Sequence, residues 1–144
     1  MRLLATGAFL LLTTPLFAQE SNVRAVFQTE LPDIAGREEL VLEVTLPPGS
    51  DSPPHRHNAH TFVYVLEGNV EMQVAGGELK RLGPGGSFYE NPDDIHTVSR
   101  NASSTEPAKI LVVFIKQIGA PTTVMVENSD DVATPPQPPE LSPR

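Results

Sequence analysis

Thr61-Phe62-Val63-Tyr64-Val65-Leu66-Glu67-Gly68-Asn69-Val70-Glu71-Met72-Gln73-Val74-Ala75-Gly76-Gly77 is the stretch that decides the fold. Its first six residues are β-branched, aromatic or leucine, the types that suit a pleated, half-buried surface. Glu67-Gly68 interrupts them. Val70, Met72 and Val74 then alternate with Glu71, Gln73 and Ala75, and this period of two belongs to a strand with one buried face. Gly76-Gly77 predicts a two-residue hairpin turn after it.

The same pattern extends in both directions. Upstream, Leu40, Leu42, Val44 and Leu46 alternate with Val41, Glu43 and Thr45 until Pro47-Pro48-Gly49 stops the strand. Downstream, Leu79 to Leu82 reads as a short return strand closed by Gly83-Pro84-Gly85-Gly86. Ser87 to Glu90 is another brief strand, cut by Asn91-Pro92-Asp93-Asp94. His96 to Arg100 and Ala108 to Lys116 complete the series. The latter is apolar on both faces, long for an edge strand and in need of cover. No window carries a helical stripe. Short strands punctuated by turn residues every 8–12 positions or so define an all-β sandwich or small barrel without a major helix.

The ends have a different character. Met1-Arg2, the apolar run from Leu3 to Leu12, Pro15 and Leu16-Phe17-Ala18 have the order of a secretory leader, with cleavage expected after Ala18. Residues 127–144 hold five prolines and four acidic residues with few large apolar ones, so a disordered tail is expected there. Between them lie an N-terminal segment and strand (19–37, with Val23 to Thr29 as the strand), the barrel (38–118), and a terminal strand or connector (119–126).

Composition narrows the function. The 144 residues include 18 acidic and 10 basic side chains, a net charge of −8, which does not suit a nucleic-acid backbone. Cysteine is absent, which excludes disulfides, thiolate metal sites and cysteine nucleophiles. No apolar run approaches the ~20 residues of a membrane span. A leader on a chain without cysteine fits export to a bacterial periplasm, or secretion.

The chemical signal lies in the histidines. His55 and His57 flank Arg56, and on a strand residues i and i+2 share a face, so both imidazoles can converge on one point. Neutral imidazole is a ligand for Zn, Fe, Mn, Ni and Cu. His96 opens a later strand and offers a third donor. A His-x-His pair on a surface with no metal is the alternative.

With those residues in place the chain resembles the cupin superfamily, specifically a small single-domain cupin, over about residues 38–117. Gly49, five residues, His55-Arg56-His57, then Gly68 have the spacing of the first cupin motif. That motif's glutamate is missing: Thr61 and Phe62 stand at its two permitted positions. Gly86, Pro92, His96 and Asn101 are similar to the second motif, with Asp94 in place of glycine, one residue fewer before His96 and one more before Asn101.

The resemblance implies a conical jelly-roll barrel holding one divalent transition metal on its inner wall, with His55, His57 and His96 as ligands. Two residues are candidates for the missing glutamate's role. His60 points away by strand parity unless a bulge between Asn58 and Thr61 turns it inward; otherwise it is a loop or surface histidine. Glu90 reaches the cavity from another wall as ligand or general base, or is an ordinary exposed or salt-bridged carboxylate. A metal-binding protein with a small-molecule ligand, a metal-dependent dioxygenase, isomerase or lyase, and a metal-free structural cupin are the three readings left open. The resemblance also implies a homodimer in which N-terminal strands pack or exchange.

Overall fold

Ten strands and no helix make up residues 20–126, the part of the chain that the computed structural model describes. The expected leader and the Pro-rich tail lie outside the described residues. In chain order the strands are β1 (Asn22–Glu30), β2 (Arg37–Leu46), β3 (His55–Arg56), β4 (His60–Glu67), β5 (Val70–Val74), β6 (Lys80–Leu82), β7 (Ser87–Glu90), β8 (His96–Asn101), β9 (Ala108–Gln117) and β10 (Val124–Met125). They form two five-stranded antiparallel sheets, ordered β1-β2-β9-β4-β7 and β10-β3-β8-β5-β6. The fold is an all-β jelly roll. Among the described residues no helix is long and apolar enough to cross a membrane.

The period-two pattern fixes which face is buried. On β4, Thr61, Val63 and Val65 are buried while His60, Phe62, Tyr64 and Leu66 are exposed. On β9, Ala108, Ile110, Val112 and Phe114 are buried and the residues between them half-buried. Phe88 from the neighbouring β7 joins them in the same sheet, and Met72 and Val70 from β5 meet them from the opposite sheet. Each fully buried side chain of this size contributes roughly 1.5–3 kcal/mol relative to exposure.

Two expectations are corrected here. The apolar run Ala108 to Lys116 is not an edge in need of cover: β9 lies in the middle of its sheet, between β2 and β4. The hairpin after Val74 is longer than Gly76-Gly77, because Met72 pairs with Lys80 and the loop takes in Ala75 to Leu79.

Two residues matched to the cupin motifs are architectural. A Cβ on Gly68 would lie 2.7 Å from the Pro107 carbonyl and 2.8 Å from Ala108 Cα, at a φ of 73°, so only glycine fits where β4 meets the approach to β9. Asn101 is buried; its Nδ2 donates to the carbonyls of Leu46, Pro47 and Glu106, and its Oδ1 accepts from Ser103 N. That amide ties together two loops whose backbone groups would otherwise be unsatisfied.

Candidate metal centre

β3 is two residues long, and it delivers the first histidine. His55 pairs directly with His96 of β8, so their side chains leave the sheet on the same face. His57 follows just beyond β3, before Asn58 takes a positive φ of 49°. The His55 and His57 rings lie 4.9 Å apart edge to face, and those of His55 and His96 lie 5.3 Å apart. Each of the three offers a nitrogen, and these ligand atoms all fall within 4.8 Å of one another. Three histidines are thus close enough to hold one metal ion together.

Backbone carbonyls set the tautomers. His55 Nδ1 donates to the Pro53 carbonyl at 2.7 Å, and His57 Nδ1 donates to the Thr122 carbonyl at 2.5 Å. A carbonyl only accepts, so in both rings Nδ1 carries the proton and Nε2 keeps its lone pair. Such fixing of the distal nitrogen orients a metal-ligating histidine and raises its basicity. Packing fixes the rings further: Phe88 stacks on His96 at 5.6 Å and 13°, and Phe114 lies against His57 at 5.0 Å.

Nothing in the sequence marks Thr122. Its contribution is a main-chain oxygen, which no residue type encodes, brought to His57 because β10 pairs with β3 (Val124 with Arg56, Met125 with His55). The terminal connector is therefore part of the site.

Burial controls the charges. Desolvation holds His57 down at about 4, against a partial lift from its bond to Thr122. It holds His96 at about 3, with the neighbouring His55 and His57 adding to the depression. Both rings are neutral near pH 7, the form that donates a lone pair to a metal. Burial pushes Glu90 up to about 8, and Asp94 adds to the rise.

Glu90 reaches the cluster, whereas His60 does not. Glu90 is 1% exposed, with Oε1 3.4 Å from His96 Nδ1 and Oε2 3.8 Å from His57 Nε2. His60 is corrected as a candidate ligand: the bulge that would have turned it inward is absent, His60 pairs with Ile115, and its side chain faces outward as strand parity predicts. Its Nδ1 bonds the Tyr89 hydroxyl at 2.7 Å on that outer face.

The histidines and Glu90 share a cavity of about 210 Å³ with an apolar wall that includes Leu42, Val44, Met72 and Val112. This is below the roughly 300–1,000 Å³ typical of drug-sized ligands, so it suits a small molecule. A divalent cation fits the donor set. Both ring nitrogens of His96 and both oxygens of Glu90 are buried without a hydrogen-bond partner, and groups so buried need one.

The fold is shared with known proteins. The family model for the cupin domain matches residues 42–114, just over half of the chain, and the protein belongs to that family. Among solved structures, the DMSP lyase DddQ from Ruegeria pomeroyi is 25% identical over 60% of this chain and 42% of its own, with a TM-score of 0.54. The chain thus spans about two fifths of that lyase. The TT1209 protein from Thermus thermophilus is 28% identical over 67% of this chain and 84% of its own, also at 0.54. KdgF from a Halomonas species, 21% identical over 69% of this chain and 81% of its own, shares the fold at 0.54. No curated protein matches the chain.

Proposed function

We propose that this cupin binds one divalent transition metal (Zn, Fe, Mn, Ni or Cu) through His55, His57 and His96, and takes a small oxygen-donor molecule beside it. One observation carries the reading: three imidazoles with ligand atoms within 4.8 Å, two of them already held by backbone carbonyls with Nε2 free. The bound ion would supply Lewis acidity, a water of lowered pKa or, for a redox-active metal, electrons. The chain's own part is to fix the donors, keep His57 and His96 neutral by burial and line the remaining space with apolar side chains that exclude water.

A second reading is an enzyme of the lyase, isomerase or dioxygenase class. What favours it is Glu90, the only carboxylate lining the cavity among the described residues, together with the similarity to a protein described as a DMSP lyase. In that reading Glu90 takes or holds the proton that moves in the reaction.

We place the protein in the periplasm or outside the cell, through the leader at 1–18, and propose a homodimer. Every residue of β1 is exposed, including Val23, Val26 and Phe27, an apolar edge that a second copy would cover. Light scattering of the mature protein tests this, and a monomer at micromolar concentration contradicts it.

The deciding measurement is metal content after purification without a histidine tag, beside His55→Ala/His57→Ala and His96→Ala variants. Near one ion per chain, lost in both variants, is the expected result. Absence of metal after reconstitution with each candidate ion overturns the reading and leaves a metal-free ligand-binding or structural cupin. Turnover of candidate substrates by the loaded protein separates the enzyme from the binding module.

A further inference from the structure

We propose that Glu90 is the carboxylate ligand of the metal centre, transposed across the sheet from the position occupied by Thr61. The inference rests on the metal reading above and assigns Glu90 to the ion itself rather than to proton transfer alone.

The argument begins with register. In the β4–β7 pair Thr61 stands opposite Glu90, and cross-strand partners project from the same face with Cβ atoms about 4.5–5.5 Å apart. A carboxylate at either position therefore enters the same space. Position 61 is where the first cupin motif has its glutamate, and here it holds a fully buried threonine whose hydroxyl bonds back to the Ala59 carbonyl. The small side chain leaves room for the longer one beside it.

The environment of Glu90 then points to a cation. Neither oxygen has a hydrogen-bond donor, and the side chain is almost completely buried. A carboxylate is not kept charged in such a place without a compensating partner. Its Oε1 lies 3.4 Å from His96 Nδ1 and its Oε2 3.8 Å from His57 Nε2, atoms of two of the three candidate ligands. Donors about 2.0–2.2 Å from one ion stand roughly 3–3.5 Å from each other, close to these separations. Three neutral imidazoles leave a divalent ion with its full charge, and Glu90 would halve it.

Cobalt(II) titration, followed through the visible d–d bands, tests the assignment on wild type, Glu90→Gln and the exchange variant Thr61→Glu/Glu90→Thr. Wild type should take up one ion per chain. Glu90→Gln should bind at least roughly tenfold more weakly, as loss of even an outer-shell partner commonly does, with shifted bands. The exchange variant should recover wild-type bands and most of the affinity.

Unchanged affinity and bands in Glu90→Gln overturn the assignment and leave the carboxylate as a proton carrier. An exchange variant that binds no better than Glu90→Gln overturns it too, and also decides the matter should Glu90→Gln fold poorly. Wild type that takes up no cobalt removes the metal reading itself, an outcome distinct from either.

Discussion

Glu38 and Glu90 are the same residue type, both buried on sheet strands, and they have opposite surroundings. Glu38 on β2 is saturated: Lys116 Nζ and Gly119 N donate to its Oε1, and Gln28 Nε2 donates to its Oε2. Those bonds, led by Lys116, hold its carboxyl down at about 2. Glu90 has no such donor, and burial pushes it up to about 8. A buried carboxylate whose protein partners are complete serves the fold. One whose partners are missing is arranged for something the fold itself does not supply.

The largest effect expected from this contrast concerns the ion. In His55→Ala/His57→Ala, metal affinity should fall by a factor of about 100 or more, since two of the three imidazoles are gone. In wild type, free metal at about 100 times its Kd should raise stability by about 2.7 kcal/mol, and the same concentration should raise the double variant by no more than about 0.4 kcal/mol. Thermal melts with and without metal check both. Equal stabilisation of the two proteins would break the comparison at the Glu90 end.

The next effect is at the other carboxylate. Glu38→Gln leaves the Lys116 ammonium buried beside a neutral amide, and removal of one partner from a buried pair is strongly destabilising. A fall in Tm on the order of 10 °C is expected, with metal affinity unchanged. A Tm within about 1 °C of wild type would show that the Glu38 network contributes little.

The two regions meet in residues 119–122. Gly119 N and the Ala120 carbonyl complete the Glu38–Lys116 pair, while the Thr122 carbonyl holds His57. A chain ending at Ala120 should therefore keep the first and lose the second. Relative to a chain ending at Val126, it should bind metal roughly tenfold more weakly. Equal affinity of the two truncations would show that His57 does not need its carbonyl.

The smallest effect is in the acid limb. The Glu38 carboxyl lies near 2 in the folded protein against 4.5 ordinarily, so its contribution to stability is complete above about 4.5 and is lost as the pH falls toward 2. Urea midpoints of wild type should therefore drop more steeply across that window than those of Glu38→Gln. Parallel slopes would argue against the coupling.

Much of this architecture can be read from the residues. Alternation at Leu40 to Leu46 and Val70 to Val74, with the Gly and Pro clusters between strands, exposes the all-β pattern because burial on one sheet face imposes a period of two. His55 and His57 are found by the same parity, and His96 by its place after the Pro92-Asp93-Asp94 turn. What escapes is long-range. That Glu90 stands opposite Thr61 depends on the register of β7 against β4, which strands so far apart in the chain do not announce. His60 lies outward because β4 is regular from His60 to Val65, whereas a bulge at its start would have left no clear mark in the sequence. Thr122 is invisible for a plainer reason: its useful atom is common to every residue.

The β10–β3 pairing has a consequence for timing. A chain is made and emerges from its N-terminal end, so His55, His57 and His96 are all available before residues 122–125 arrive. Until then His57 Nδ1 lacks the Thr122 carbonyl that orients it, and β3 has only β8 to pair with. The centre is thus finished only once residues 122–125 have joined the fold, and tight capture of an ion belongs to a chain with β10 in place rather than to one that stops short of it.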